Sequence, residues 1–214
     1  MADRPILFSG PMIRANRAGI KTNTRRAFNL PKWAEPGTLE IDDDGPYAIA
    51  SVSGCLAKVP TPINVGDRLW VREEFSGPYH FKPKVNPPAT WPVDCDVWYW
   101  ADGNPDHADW TKPKRAMHMP RWMSRLTLVV TGVKVERLQD ISREDAIAEG
   151  LEWVAPTYGI SGIASTWNGD ARESYFALWD HINGTGAAAK NPWVVAYAYT
   201  VRHCNIDLVA KEAA

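Results

Sequence analysis

Apolar and polar residues alternate most cleanly along "RLTLVVTGVKVERL", residues 125–138. This β-branched run predicts a long strand, with Gly132 as a bulge or bend. In "INVGDRLWVREEF" the same two-residue period puts Leu69 and Val71 on one face and Arg68, Trp70 and Arg72 on the other. "PILFS" at residues 5–9 predicts a short first strand, and "PWVVAYAYTVRH" a closing one. "AIASVSGCLAKVP" predicts two short strands or a hairpin around Gly54.

Helical spacing appears three times. "PMIRANRAG" has Pro11 in its first turn and stops at Gly19. "ISREDAIAEG" offers Ser142 as N-cap, Glu144 and Asp145 in the first turn, and Gly150 as the stop. "ARESYFALWDHING" sets Tyr175, Leu178, Trp179 and Ile182 on one stripe, with Gly184 beyond its end. Residues 29–47 read as loop. Residues 76–120 read as a loop-rich insertion in which only "CDVWYW" resembles strand. The order is β, α, several β, short α, α, β, with no βαβ repetition. It predicts an α+β fold in one domain, residues 1–214, built as a small mixed β-barrel with flanking helices.

Composition adds little beyond an ordinary globular chain of 214 residues. No apolar run is long enough to span a bilayer, and the N-terminus lacks a cleavage pattern, so no membrane partner and a cytoplasmic location are expected. Cys55, Cys95 and Cys204 are odd in number and widely spaced, fitting neither a disulfide framework nor a zinc site. No spacing of His, Cys or Asp suggests a metal, no Gly-rich loop suggests a phosphate cradle, and no cofactor is expected.

Charge changes the picture more, because a net −1 hides two basic segments. Arg4, Arg14, Arg17, Lys21, Arg25 and Arg26 face a single acid, Asp3, in residues 1–26. Lys112, Lys114, Arg115, Arg121 and Arg125 share residues 111–125 with none. Such patches either hold phosphate or are simply solvated faces. Eleven tryptophans are mostly core candidates. Trp122, between Arg121 and Arg125, can instead stack on a base.

The segment "GIKTNTRR" joins cations to hydroxyls. With "VGDRLWVREEF", "VKVERLQDISREDAIAEG", "HMPRW" and the tail "LWDHING…NPWVVAYAY", it resembles the ASCH superfamily, a PUA-like group, in its bacteriophage and prophage branch. The resemblance covers almost the whole chain except parts of residues 30–55, 76–115 and 154–170. It implies a five- or six-stranded PUA-like barrel, RNA or a modified nucleoside as partner, and a cleft at the lysine–threonine turn. One related branch consists of N4-acetylcytidine amidohydrolases. Its lysine, threonine and glutamate fall here on Lys21, Thr24 and Glu149, with Glu144 as rival. Another branch cleaves RNA.

Amide hydrolysis needs an activated nucleophile, a base and a proton donor for the leaving amine. Thr24 is the expected nucleophile. Lys21 is the base if neutral, and Arg25 and Arg26 favour its neutral form. The i, i+3 spacing brings Lys21 and Thr24 together if the segment turns. Arg25, Arg26, Arg68, Arg72, Arg121 and Trp122 are the expected substrate contacts. The same residues also suit a non-catalytic RNA-binding phage accessory module, in which Lys21, Arg25 and Arg26 hold a phosphate or a base edge, Thr24 donates a hydrogen bond and Glu149 accepts from a base amine. A Lys21–Glu149 pair that only balances charge is a further, purely structural alternative. An RNA-cleaving enzyme would want a histidine. His118 lies in "HMPRW", while His80, His107, His181 and His203 show no pairing.

Overall fold

The computed structural model describes residues 1–35, 37–50, 53–77, 97–105 and 110–209. Among them the strands begin with β1 (Asp3–Leu7), β2 (Asn23–Ala27), β3 (Glu40–Asp42), β4 (Gly45–Ile49), β5 (Leu56–Lys58) and β6 (Arg68–Arg72). They continue with β7 (Phe75–Ser76), β8 (Trp98–Tyr99), β9 (Thr127–Arg137), β10 (Glu152–Val154), β11 (Thr157–Ile160), β12 (Ile163–Asn168) and β13 (Trp193–Arg202). The helices are α1 (Gly10–Arg17), α2 (Arg143–Ala148) and α3 (Ala171–Asn183). The chain is therefore α+β, mostly strand, with several sheets. Among the described residues no pairing closes a sheet into a barrel, and no helix is long and apolar enough to cross a membrane.

Two compact units divide the chain. The first comprises Met1–Gly19, Gly66–Val129 and Thr200–Ala214. Here β1 runs parallel to β6, Asp3 opposite Arg68, and β6 runs antiparallel to the start of β9. Helix α1 buries Met12, Ile13, Ala15 and Asn16, and Gly19 ends it at φ +72, a conformation natural to glycine. A short helical turn, Trp100–Asp102, docks on α1 through Arg14, whose Nη1 donates to the Ala101 carbonyl at 3.1 Å. Phe75, Met119 and Met123 form a small core with Tyr99 and Trp122 against it.

The second unit comprises Ile20–Val65 and Val130–Tyr199. Its main sheet has the order β9–β13–β2, with β13 antiparallel to β2 and Tyr197 opposite Thr24. Phe28, Leu39, Ala48, Val59, Val135, Val195 and Tyr197 are at its core. Two further antiparallel sheets, β3–β4–β5 and β10–β11–β12, belong to this unit. Ser142 caps α2 by accepting the Asp145 N–H at 3.1 Å, and Asp170 caps α3 in the same way.

Several expectations hold: the first strand, though shifted from residues 5–9 to Asp3–Leu7, the strands within 63–75 and 125–138, the closing strand, the three helices with their stops, and the β4–β5 hairpin around Gly54. Others need correction. Residues 29–47 are not all loop, since β3 and the start of β4 pair across the Asp43–Asp44 turn, and Gly45, which opens β4, has φ +113. The predicted order has no element between the second and third helices, whereas three strands, β10, β11 and β12, separate α2 from α3. Ile182 does not join the buried stripe of α3 but is 61% exposed. Of the 76–120 insertion, residues 78–96 and 106–109 lie outside the described residues, and with them Cys95, His80 and His107; the described part contains β8.

Candidate functional site

Lys21 and Glu149 meet although 128 residues separate them in sequence. Lys21 precedes β2 and forms an isolated antiparallel bridge with Glu149, the residue that ends α2. Their side chains are 2% and 4% exposed. The Lys21 Nζ donates to Glu149 Oε2 at 2.7 Å and to the Glu149 carbonyl at 2.7 Å. One ammonium thus neutralises a buried carboxylate and satisfies a carbonyl that α2 leaves open at its end. Glu144, the rival acid, is exposed, so the register of α2 selects Glu149.

Burial strips water from the Lys21 ammonium and lowers its pKa; Arg26 and Arg25 push the same way, and Glu149 opposes them. The expected pressure toward a neutral lysine is therefore present, with desolvation as the larger cause.

Thr24 is buried on β2. The approach to it is extended: Lys21 is a bridge residue and β2 begins at Asn23. The turn expected to bring Lys21 and Thr24 together is absent from this described segment. The pairing of β2 with β13 fixes the threonine instead.

Arg25 has a task the sequence did not reveal. Its buried guanidinium donates from Nε and Nη2 to Glu136 Oε1 at 2.9 and 2.8 Å, from Nη2 to Asp145 Oδ2 at 2.7 Å, and from Nη1 to Glu149 Oε1 at 3.1 Å. Burial opposes its charge, yet Glu149 and Glu136 outweigh burial and hold the proton more tightly than in a free arginine. All three nitrogens are engaged with carboxylates, so Arg25 is an internal ion-pair partner and not the open substrate contact expected of it. Tyr175 of α3 lies beneath, its ring centre 6.0 Å from the guanidinium carbon. Burial, then the Glu149 charge, keep its phenol protonated well past the ordinary range. Asp145 is 34% exposed and also accepts from Asn23 Nδ2 at 3.1 Å, which makes it the solvent edge of the cluster.

Arg26 is exposed, and its Nη1 donates to the Arg25 carbonyl. Arg68, Arg72, Arg121 and Trp122 belong to the first unit. Arg68 is buried on Asp3 at 2.8 Å and on the carbonyls of Ile206 and Val209, again not an open contact. Arg121 bridges Asp3 at 2.7 Å and Asp207 at 2.6 Å. Arg72 donates to the Met119 and Met117 carbonyls and stacks on Trp70, 4.9 Å away. Trp122 is partly buried and packs beside the Phe75–Met119–Met123 core.

In the first basic segment Arg4, Arg17, Lys21 and Arg25 are answered by acids distant in sequence, and in the second Arg121 and Arg125. Lys112, Lys114 and Arg115 are exposed and join no ion pair among the described residues. Arg125 pairs with Glu73 at 2.8 Å and with Asp102 at 2.5 Å, and Arg17 joins Asp102 as well. His118, His181 and His203 are exposed, and among the described residues no cluster of His, Cys, Asp and Glu is arranged to hold a metal.

Sequence reasoning missed Glu136, Asp145 and Tyr175. One signal was available for Glu136: a carboxylate inside a β-branched strand run requires a cation. Comparison with protein-family models, with curated proteins and with solved structures finds no match to this chain.

Proposed function

We propose that this chain is an ASCH-type protein that hydrolyses an acyl amide on a modified cytidine, in the manner of an N4-acetylcytidine amidohydrolase. The observation that carries the reading is the buried pair that Lys21, just before β2, makes with Glu149 at the end of α2, next to the strand that carries the buried Thr24. In this reading the extended approach to β2 makes the transfer indirect: neutral Lys21 takes the Thr24 hydroxyl proton through a water admitted with the substrate, and Oγ1 adds to the acetyl carbonyl. The Lys21 ammonium so formed passes that same proton across its 2.7 Å hydrogen bond to Glu149 Oε2, and Glu149 delivers it to N4 as the carbonyl carbon–N4 bond breaks, leaving Lys21 neutral and Glu149 a carboxylate again. Water hydrolyses the threonine ester, releasing acetate and restoring the hydroxyl. Lowering of the Lys21 pKa by burial supports the base role. The PUA-like barrel is part of the same proposal and rests on the sequence resemblance.

A small nucleoside is favoured over a long RNA for one reason. Arg25, Arg68, Arg121 and Arg125 are ion-paired within the protein, which removes much of the charge that a phosphate backbone would use. The test is deacetylation of N4-acetylcytidine by wild type and by Lys21→Arg, run beside a labelled-RNA gel. Turnover that disappears in the variant is expected. No turnover at high enzyme concentration removes the hydrolase; RNA shifted intact would make the chain a binding module, and RNA cut would make it a ribonuclease.

A further inference from the structure

The ions around Lys21 form a line of alternating sign. Lys21 holds Glu149 at 2.7 Å, Glu149 meets Arg25 at 3.1 Å, Arg25 meets Glu136 at 2.8 Å, and Glu136 Oε2 meets Lys134 Nζ at 2.6 Å. The first four members are buried, whereas the Lys134 side chain is 65% exposed. We propose that Arg25, anchored by Glu136, is the positioning residue of the Lys21–Glu149 pair, and that Lys134 is its solvent-facing end. This rests on the proposed role of that pair in catalysis.

Geometry makes the case. Glu149 has two carboxylate oxygens; Lys21 occupies one and Arg25 the other, so the carboxylate plane is pinned from both sides. Arg25 reaches Glu149 with Nη1 while Nε and Nη2 are committed to Glu136 Oε1 and Nη2 also to Asp145. A planar guanidinium serves three carboxylates in fixed directions; the single ammonium of a lysine does not. Glu136 comes from β9, Asp145 and Glu149 come with α2, and Lys21, Arg25 and Arg26 from β2 and its approach. Tyr175 of α3 closes the site beneath the guanidinium. These are the charged and titratable groups that set the field at Lys21.

Changing the line at different members has opposite signs. Neutralising Glu136 leaves the Arg25 charge less compensated, which disfavours a second cation at Lys21. Removing the Lys134 cation leaves Glu136 less compensated, which favours it. In proteins labelled with ¹⁵N at lysine side chains, the Lys21 signal, identified by its loss in Lys21→Arg, is followed through pH. Glu136→Gln is expected to move its titration down by about half a unit or more, and Lys134→Met to move it up by a smaller amount. Arg25→Lys, which keeps the charge without the fork, is expected to lower kcat about tenfold or more with little change in KM. Shifts of the same sign, or none in either folded variant, overturn the proposal, and Lys134→Met alters only an exposed side chain. The titration needs no turnover. Opposite shifts without deacetylation keep the positioning and remove the hydrolase; deacetylation without shifts does the reverse.

Discussion

Replacing Lys21 by methionine removes the ammonium but keeps most of the stem. It leaves Glu149 Oε2 and the Glu149 carbonyl, both at 2.7 Å from Nζ, without that donor. An exposed ion pair would cost at most about 1 kcal/mol. With side chains 2% and 4% exposed, the buried regime applies instead. There, removing one partner costs about 3–5 kcal/mol; Arg25 still holds Glu149 Oε1 at 3.1 Å, so the cost here, from Oε2 left unsolvated and without a donor, lies toward the lower end of that range. For a chain of this size that corresponds to a fall in Tm of roughly 6–20 °C. Glu149→Gln in the Lys21→Met background removes the stranded charge while leaving an oxygen for Arg25, and should return about 2–3 kcal/mol. The assay is urea unfolding at pH 7, followed by circular dichroism and tryptophan fluorescence, for wild type, both single variants and the double. A Lys21→Met cost below about 1 kcal/mol, or strictly additive variants, would refute the buried-pair argument.

Other consequences are open to measurement. Gly159 faces Trp167 so closely that an added Cβ would sit 2.3 Å from Cδ2 of the indole. Gly159→Ala should cost about 1–3 kcal/mol in a thermal melt and shift Trp167 fluorescence, and an unchanged melt would contradict the packing. At Asp3 burial opposes ionisation, but hydrogen bonds from Arg121 and Arg68 outweigh it and hold the carboxyl below its ordinary 3.8. Its stabilising effect is complete above that value and is lost as pH falls through the depressed one. Asp3→Asn should therefore be less stable than wild type at pH 7 and approach it in acid; a gap that persists at the lowest pH counts against the ion pairs.

Elements with a sustained period were readable from the chain itself. The eleven residues of β9 and ten of β13 supply enough alternation, and α2 declares both ends through Ser142 and Gly150. β10, β11 and β12 are three to six residues long, too short to establish a period; they are held by pairing and by α3, whose Ser174 hydroxyl donates to the Tyr158 carbonyl. The β3–β4 turn at Asp43–Asp44 did carry a signal, the Asp-Gly step from Asp44 into Gly45 of β4, hidden among neighbouring prolines and acids. Of the site, Lys21, Thr24 and Glu149 were legible as residue types. What they touch was not, because Glu136 is 111 residues from Arg25 and only the β9–β13–β2 order makes them neighbours.

Because a single Nζ both finishes α2 and holds Glu149, drift at position 21 is constrained twice over. A descendant chain that abandoned the chemistry would still need some donor at that spot to keep its short helix closed. Retention of the lysine across diverged copies would therefore reflect architecture as much as activity, and Thr24, which has no such second duty at the helix end, is the position where relaxed selection should show first.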